Sequence, residues 1–268
     1  MRKLGFLRGT ALGLSLALLT GCVTDLEAMV AAGSPTAPSL MKAGDSRRVS
    51  GDLPGAAALY RSAHEAGPDE AAPLVKLGET LAAAGAYDDA AEAFRAALIR
   101  APDDHDAQRG LANSLVGLGQ PALAIPYYQK ALALAPDDWR ADLGLGVAHD
   151  LAGDPSAAQN SYRAGLAKAP DNPELKNNLG LSQALAGDMP SALSLLEDLM
   201  QVHDRNARYR NTLAIAYALD GQEGAAARLM AETETAETVS RNLSLLRTVR
   251  AMPDHARKAQ AIRTVYSG

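Results

Sequence analysis

The chain has 268 residues, 47% hydrophobic but only 4% aromatic, so its core must be filled by Ala, Leu and other small side chains. That suits closely packed helices and argues against a β-sandwich, which draws on β-branched and aromatic residues. The formal net charge is -5 with no patch of Lys and Arg, so a nucleic-acid binder's electrostatic footprint is absent, and the single cysteine allows neither an internal disulfide nor a zinc cluster.

At the start of the chain, Arg2, Lys3 and Arg8 precede an apolar run from Thr10 to Leu19. The run is far shorter than the ~20 apolar residues a membrane-spanning helix needs, so it reads as a signal peptide over residues 1–21. It ends in Leu19, Thr20, Gly21 and Cys22, which resembles the lipobox of bacterial lipoproteins. The resemblance implies cleavage before Cys22, lipidation of that residue, and an anchor of two or three acyl chains, which suffices for stable membrane attachment where one chain does not. Val23 rather than Asp follows the cysteine, which in such lipoproteins implies sorting to the periplasmic face of the outer membrane. Residues 22–36, with Gly33, Ser34, Pro35 and Thr36, read as a lipidated N-terminus and short tether.

From residue 37 to 240 the chain repeats every 34 residues, six times, without insertion. Gly51, Gly85, Gly119, Gly153, Gly187 and Gly221 keep this step, as do Ala56, Ala90, Ala124, Ala158, Ala192 and Ala226. A small residue recurs at Gly44, Gly78, Ala112, Gly146, Gly180 and Ala214, and Pro68, Pro102, Pro136 and Pro170 close the first four copies. Each copy predicts a helix A over its first 14 positions and a helix B over positions 17–30. The glycine at position 15 sits where the chain must turn in a left-handed conformation. Position 8 and the Ala at position 20 mark the A–B crossing. Tyr60, Phe94, Tyr128 and Tyr162 at position 24 fill the space between pairs, and Asp69, Asp103, Asp137 and Asp171 after the proline are placed to cap the next helix. The period and this pattern resemble the tetratricopeptide repeat (TPR). The resemblance implies an all-α fold, a right-handed α-solenoid of about six helix pairs. The last two copies depart from the pattern, as terminal repeats of solenoids often do.

After the array, Leu243, Leu246 and Val249 recur at helical spacing, predicting a helix that covers the sixth repeat and stops at Pro253; Asp254 to Tyr266 read as one more short, basic helix. Residues 241–268 are therefore expected to be capping helices, although the basic helix could equally bind a partner.

Nothing in the chain carries recognisable catalytic or metal chemistry. His64, His105, His149, His203 and His255 are scattered, without a carboxylate or cysteine at ligand or triad spacing, and read as solvated or groove-lining residues. Pairs such as Asp103-Asp104 and Asp137-Asp138 are explained by helix capping. No phosphate loop, nucleophile elbow or zinc helix occurs. The expectation is a protein that is not an enzyme and has no cofactor or metal.

Function then falls on the face that the A helices present. Some TPR domains grip a C-terminal carboxylate there. The third copy supplies Arg109 and Asn113 for such a clamp, but Gly144 stands where the next would need Asn. Instead Leu143, Val147, Leu181 and Ile215 occupy positions 5 and 9, with Ala184 and Ala218 at position 12. This predicts an apolar concave strip open to an apolar peptide or amphipathic helix. The alternative is that tail residues or a neighbouring helix cover it.

Cys22, the uninterrupted array, the stretch Asn211–Gly221 and the closing segment Ser240-Arg-Asn-Leu-Ser-Leu-Leu-Arg247 together resemble the TadD family of Flp (tight adherence, Tad) pilus assembly. The resemblance implies an outer-membrane scaffold lipoprotein in pilus biogenesis, with a protein partner such as a secretin or another pilus-assembly component. The other functions open to such a chain are a pilotin for another secretin system, or an adaptor docking periplasmic hydrolases or proteases.

Overall fold

The computed structural model describes residues 35–266; the signal peptide, Cys22 and most of the tether lie outside them. Fourteen helices make up the described chain, with no strand among the described residues. They are α1 (Ala37–Val49), α2 (Leu53–Ala66), α3 (Ala72–Ala83), α4 (Tyr87–Arg100), α5 (His105–Gly117), α6 (Pro121–Leu134) and α7 (Trp139–Ala152). Then follow α8 (Pro155–Lys168), α9 (Pro173–Ala186), α10 (Met189–Val202), α11 (Ala207–Leu219), α12 (Glu223–Met230), α13 (Ala236–Ala251) and α14 (His255–Tyr266). Odd-numbered helices α1 to α11 are the A helices and α2 to α12 the B helices.

All six glycines at position 15 adopt positive φ, between 72° and 91°. That conformation ends helix A and reverses the chain for helix B, and any other residue type would be strained there. The A helices from α5 onward are capped by Asp104, Asp138, Asn172 and Asn206, whose side chains accept hydrogen bonds from backbone N–H groups of the first turn. The cap is therefore one residue later than Asp103, Asp137 and Asp171. The second member of each Asp pair has the extended or near-extended backbone that lets a side chain reach back to the helix.

The six alanines at position 20 are completely buried, and every residue at position 24, from Tyr60 to Met230, is at most 1% exposed. Where position 8 is glycine, the side chain at position 24 of the same pair packs directly over it. A Cβ built on Gly78 would come within 2.8 Å of the Phe94 ring, and one on Gly146 within 2.3 Å of the Tyr162 ring. The same rings also press on the next A helix, where a Cβ on Gly110 would meet Phe94 at 2.3 Å and one on Gly144 would meet Tyr128 at 2.4 Å. One side chain thus packs within a pair and between pairs. The tyrosine hydroxyls find partners as they are buried: Tyr60 donates to Asp45 (2.7 Å), Tyr128 to Asn113 (2.6 Å) and Tyr162 to Asp150 (2.9 Å). Burial first, and the Asp45 carboxylate second, push the Tyr60 hydroxyl up to about 12.

Successive A helices pack on one another, whereas successive B helices are not among the closely packed pairs. The stack is therefore tighter on its A side, which makes that the inner face. At the far end α13 packs on α11 and α12. Leu246 and Val249 are buried there and Leu243 is half-buried, while Arg247 grips the Glu223 carboxylate with two hydrogen bonds of 2.7 and 2.6 Å. The final helix, α14, does not extend this end. It turns back along the array and packs against α7, α9 and α13.

Gly146→Val is expected to destabilise the array by about 1–3 kcal/mol, because the added side chain has nowhere to go but into the Tyr162 ring. Urea unfolding followed by circular dichroism checks this. In combination with Tyr162→Ala, which removes the ring, the two losses should be clearly less than additive; strictly additive losses would mean that this contact does not set the helix spacing.

Candidate binding groove on the inner face

The inner face of repeats four to six forms a cleft of about 560 Å³. Its apolar wall comes from Val147, Leu151, Leu181, Leu185 and Ile215, at positions 9 and 13 of successive A helices. Its polar side carries Asp150, Asn177, Asn211 and Arg208, and Ala259, Ile262 and Arg263 of α14 complete it. Asn177 Oδ1 and Asn211 Oδ1, both at position 5, are buried in this lining without a hydrogen-bond partner among the described residues. A smaller cleft of about 360 Å³ continues towards repeat three, past Val147 and Leu143 to Trp139, Gly144 and Arg109.

The structure brings the strip residues to one face but does not leave them open. Ala184, Ile215 and Ala218 are each 2% exposed, in the same apolar cluster as Ala259 and Ile262. Leu181 is half-buried at its edge, and Leu143 and Val147 are half-buried against the neighbouring cluster of Ala158, Tyr162, Leu175 and Leu179. The expectation of a strip in open water is thus corrected: α13 packs on α11 and α14 on α7 and α9, because an apolar inner face buries itself against whatever helix reaches it.

Three contacts seat α14. At its first residue, His255 Nε2 lies 2.9 Å from Asp150 Oδ1. In its middle, Ala259 and Ile262 enter the apolar cluster. Near its end, Arg263 donates to the Val116 carbonyl (2.9 Å), in the last turn of α5. A cation there adds to the Gly119 N–H already on that carbonyl and meets the negative end of a helix dipole. Residues 255, 259, 262 and 263 fall on one face of a helix.

Asp150 is the polar centre of this arrangement. It is only 8% exposed, and its carboxylate accepts from Tyr162 (2.9 Å) and Ser182 (2.7 Å) besides contacting His255. Tyr162 comes from the same repeat, Ser182 from the next, and His255 from α14. Burial, then the Asp150 charge, hold the Tyr162 hydroxyl well above its ordinary range. Ser, Asp and His meet here, but the serine donates to the aspartate rather than to the histidine, so the geometry lacks an activated nucleophile. Sequence reasoning passed over Asp150 and took His255 only as one of five solvated or groove-lining histidines; the two stand 105 positions apart. The one available signal was a carboxylate at position 12, where neighbouring repeats carry Ala184 and Ala218.

The clamp residues are committed elsewhere. Burial opposes the charge of Arg109, but ion pairs with Asp138 and Asp106 hold its guanidinium above its usual range. Asn113 accepts from Tyr128. Among the described residues, no group of three or more His, Cys, Asp or Glu could hold a metal ion, and no helix is long and apolar enough to cross a membrane.

Two family models, both described as tetratricopeptide repeat, match residues 41–105 and 115–181. The array is built of tetratricopeptide repeats. No curated protein matches the chain. Solved structures do. PilW, described as a widely conserved type IV pilus biogenesis factor, is 23% identical with a TM-score of 0.69, over 78% of this chain and 96% of that one. YrrB, described as a TPR protein with an unusual peptide-binding site, is 22% identical with a TM-score of 0.54, over 73% and 97%. MamA is 25% identical with a TM-score of 0.55, over 62% and 97%. These TPR structures share the helix-pair fold of the array.

Asp150→Ala should cost about 2–4 kcal/mol, since it strands the buried Tyr162 and Ser182 hydroxyls and frees His255. Denaturant unfolding measures the loss. A change below about 0.5 kcal/mol, the range of ordinary surface substitutions, would show that Asp150 does not join α14 to the array.

Proposed function

We propose that this chain is a scaffold lipoprotein that captures a protein partner in the inner groove of repeats four to six and holds it at the periplasmic face of the outer membrane, in the assembly of a Tad-type (Flp) pilus. The observation that carries the binding role is the apolar, half-occupied groove itself, built at repeated positions of the A helices. Apolar surface at successive repeats suits an amphipathic helix that lays one face along it. The anchoring rests on the lipobox-like ending at Cys22. The pilus context rests on the TadD-like closing segment around Arg241–Arg247, with the structural likeness to PilW as support. A secretin or another pilus-assembly component is the partner this reading favours.

Two measurements test it. Cys22→Ser should abolish labelling with palmitate and remove the protein from the outer-membrane fraction; unchanged labelling and fractionation would reject the lipid anchor. Val147→Asp with Leu181→Asp places two charges in the groove wall. That variant should lose a crosslinked envelope partner at least largely, with an anchor of this kind worth about 1–2 kcal/mol each, and pilus display should fall with it. Undiminished capture by a stably folded variant would reject the groove.

A further inference from the structure

We propose that α14 is a resident, displaceable ligand of the inner groove, and that the partner is an amphipathic helix in the α14 register with bulkier apolar side chains. The proposal rests on the reading of this groove as the binding face.

The helix sits as a ligand would. It touches the array through one face, with a basic residue at each end and apolar residues between. Its contacts come from repeats three to five: the Val116 carbonyl of α5 in the third, Asp150 and α7 in the fourth, and α9 in the fifth. An element that merely closed the stack would contact the last repeat alone, as α13 does when it packs on α11 and α12.

The seating is also incomplete. Where α14 enters the apolar wall it offers Ala259 and Ile262, and a cleft of about 560 Å³, lined also by Val147, Leu151, Leu181, Leu185 and Ile215, remains beside them. Unfilled apolar volume forfeits dispersion contacts, so a helix with Leu or Met at that point binds the same groove better. Asn177 and Asn211 line the same cleft, and their Oδ1 atoms, shut off from solvent, have no hydrogen-bond partner among the described residues, so α14 does not complete the polar side of the groove. Charge agrees with this register. Asp150 faces the first residue of the bound helix, and the carbonyl end of α5 faces its last turn, so both ends of the groove select a basic side chain.

A tethered occupant lowers the apparent affinity of the groove by the fraction of time it is seated. A partner must outcompete α14, so the array binds helices that fill the cleft and ignores apolar segments that do not.

A fluorescent peptide of residues 252–266 carrying Ala259→Leu is titrated into three versions of the full chain: the wild type, Ile262→Asp, and Ile262→Asp with Leu181→Asp. Ile262 is 5% exposed, so the aspartate expels α14. The peptide should bind Ile262→Asp about tenfold tighter than the wild type, as expected if α14 is seated about nine-tenths of the time. Adding Leu181→Asp should abolish that binding. Hydrogen exchange should show α14 deprotected in Ile262→Asp while α1 to α11 stay protected.

Equal affinity for wild type and Ile262→Asp overturns the proposal, because α14 then does not occlude the groove. Absence of binding to Ile262→Asp overturns it too, because the groove then does not read the α14 register. Loss of protection throughout the array would make α14 part of the core. A wild-type dimer that Ile262→Asp dissolves would mean α14 is exchanged between copies. The groove reading fails separately: it falls if Val147→Asp with Leu181→Asp retains the envelope partner, whatever the peptide does.

Discussion

Everything in this array depends on a flat ring resting on a missing side chain. The residue at position 24 is pressed between the small residue at position 8 of its own pair and the A helix of the next, closely enough that a Cβ on Gly78, Gly110, Gly144 or Gly146 would fall inside the Phe94, Tyr128 or Tyr162 ring. Protein interiors at native density cannot absorb such an overlap without moving backbone. The contact therefore sets two distances at once, within a pair and between pairs. Repeated four times with an aromatic and twice with Leu196 and Met230, it propagates along the chain as a nearest-neighbour rule.

The groove is a consequence of that rule. Because the ring holds each A helix against the next, successive A helices touch while B helices spread, and the stack bends towards its A side. Side chains at positions 9 and 13 then converge, and aliphatic residues at those positions in copies four to six make an apolar wall. Such a wall in water is unfavourable, and α14 buries part of it. Its helix is not apolar enough to fill the space, which is why a cleft persists beside Ala259 and why the same surface reads as a binding site.

Asp150 shows how a buried charge is made tolerable. An isolated carboxylate in such a place would be costly, and three surrounding donor groups offset the loss of water. Two of them, Tyr162 and Ser182, belong to the array itself. The third, His255, arrives only with α14. The residue thus joins the core of the array to the seating of the helix through one carboxylate.

The regular part of the molecule was legible because a strict period writes each structural requirement six times. Gly153 needs its positive φ for the same reason as Gly51, and Ala158 needs its methyl for the same reason as Ala56, so the helix pairs, their turns and their crossing follow from the sequence alone. From α5 onward caps were legible to within one residue, since Asp103 and Asp104 differ only in which has the backbone angle to reach back, but Asp69 caps nothing: α3 begins after Ala71, which has no side chain to accept a bond. The closing segment was legible as helices but not in its direction. Leu246 and Val249 and the pair Ile262 and Ala259 look alike as apolar spacing, yet the first two cover the end of the stack and the second two enter its inner face. That choice is made by contacts far apart in the chain, Asp150 with His255 and Val116 with Arg263, and no local periodicity encodes a meeting across more than a hundred residues. The sequence determined the helices, their pairing and their pitch, because those rest on neighbours; only the tertiary structure decided that the inner face carries an occupant, because that rests on where the bend of the whole array brings its last helix.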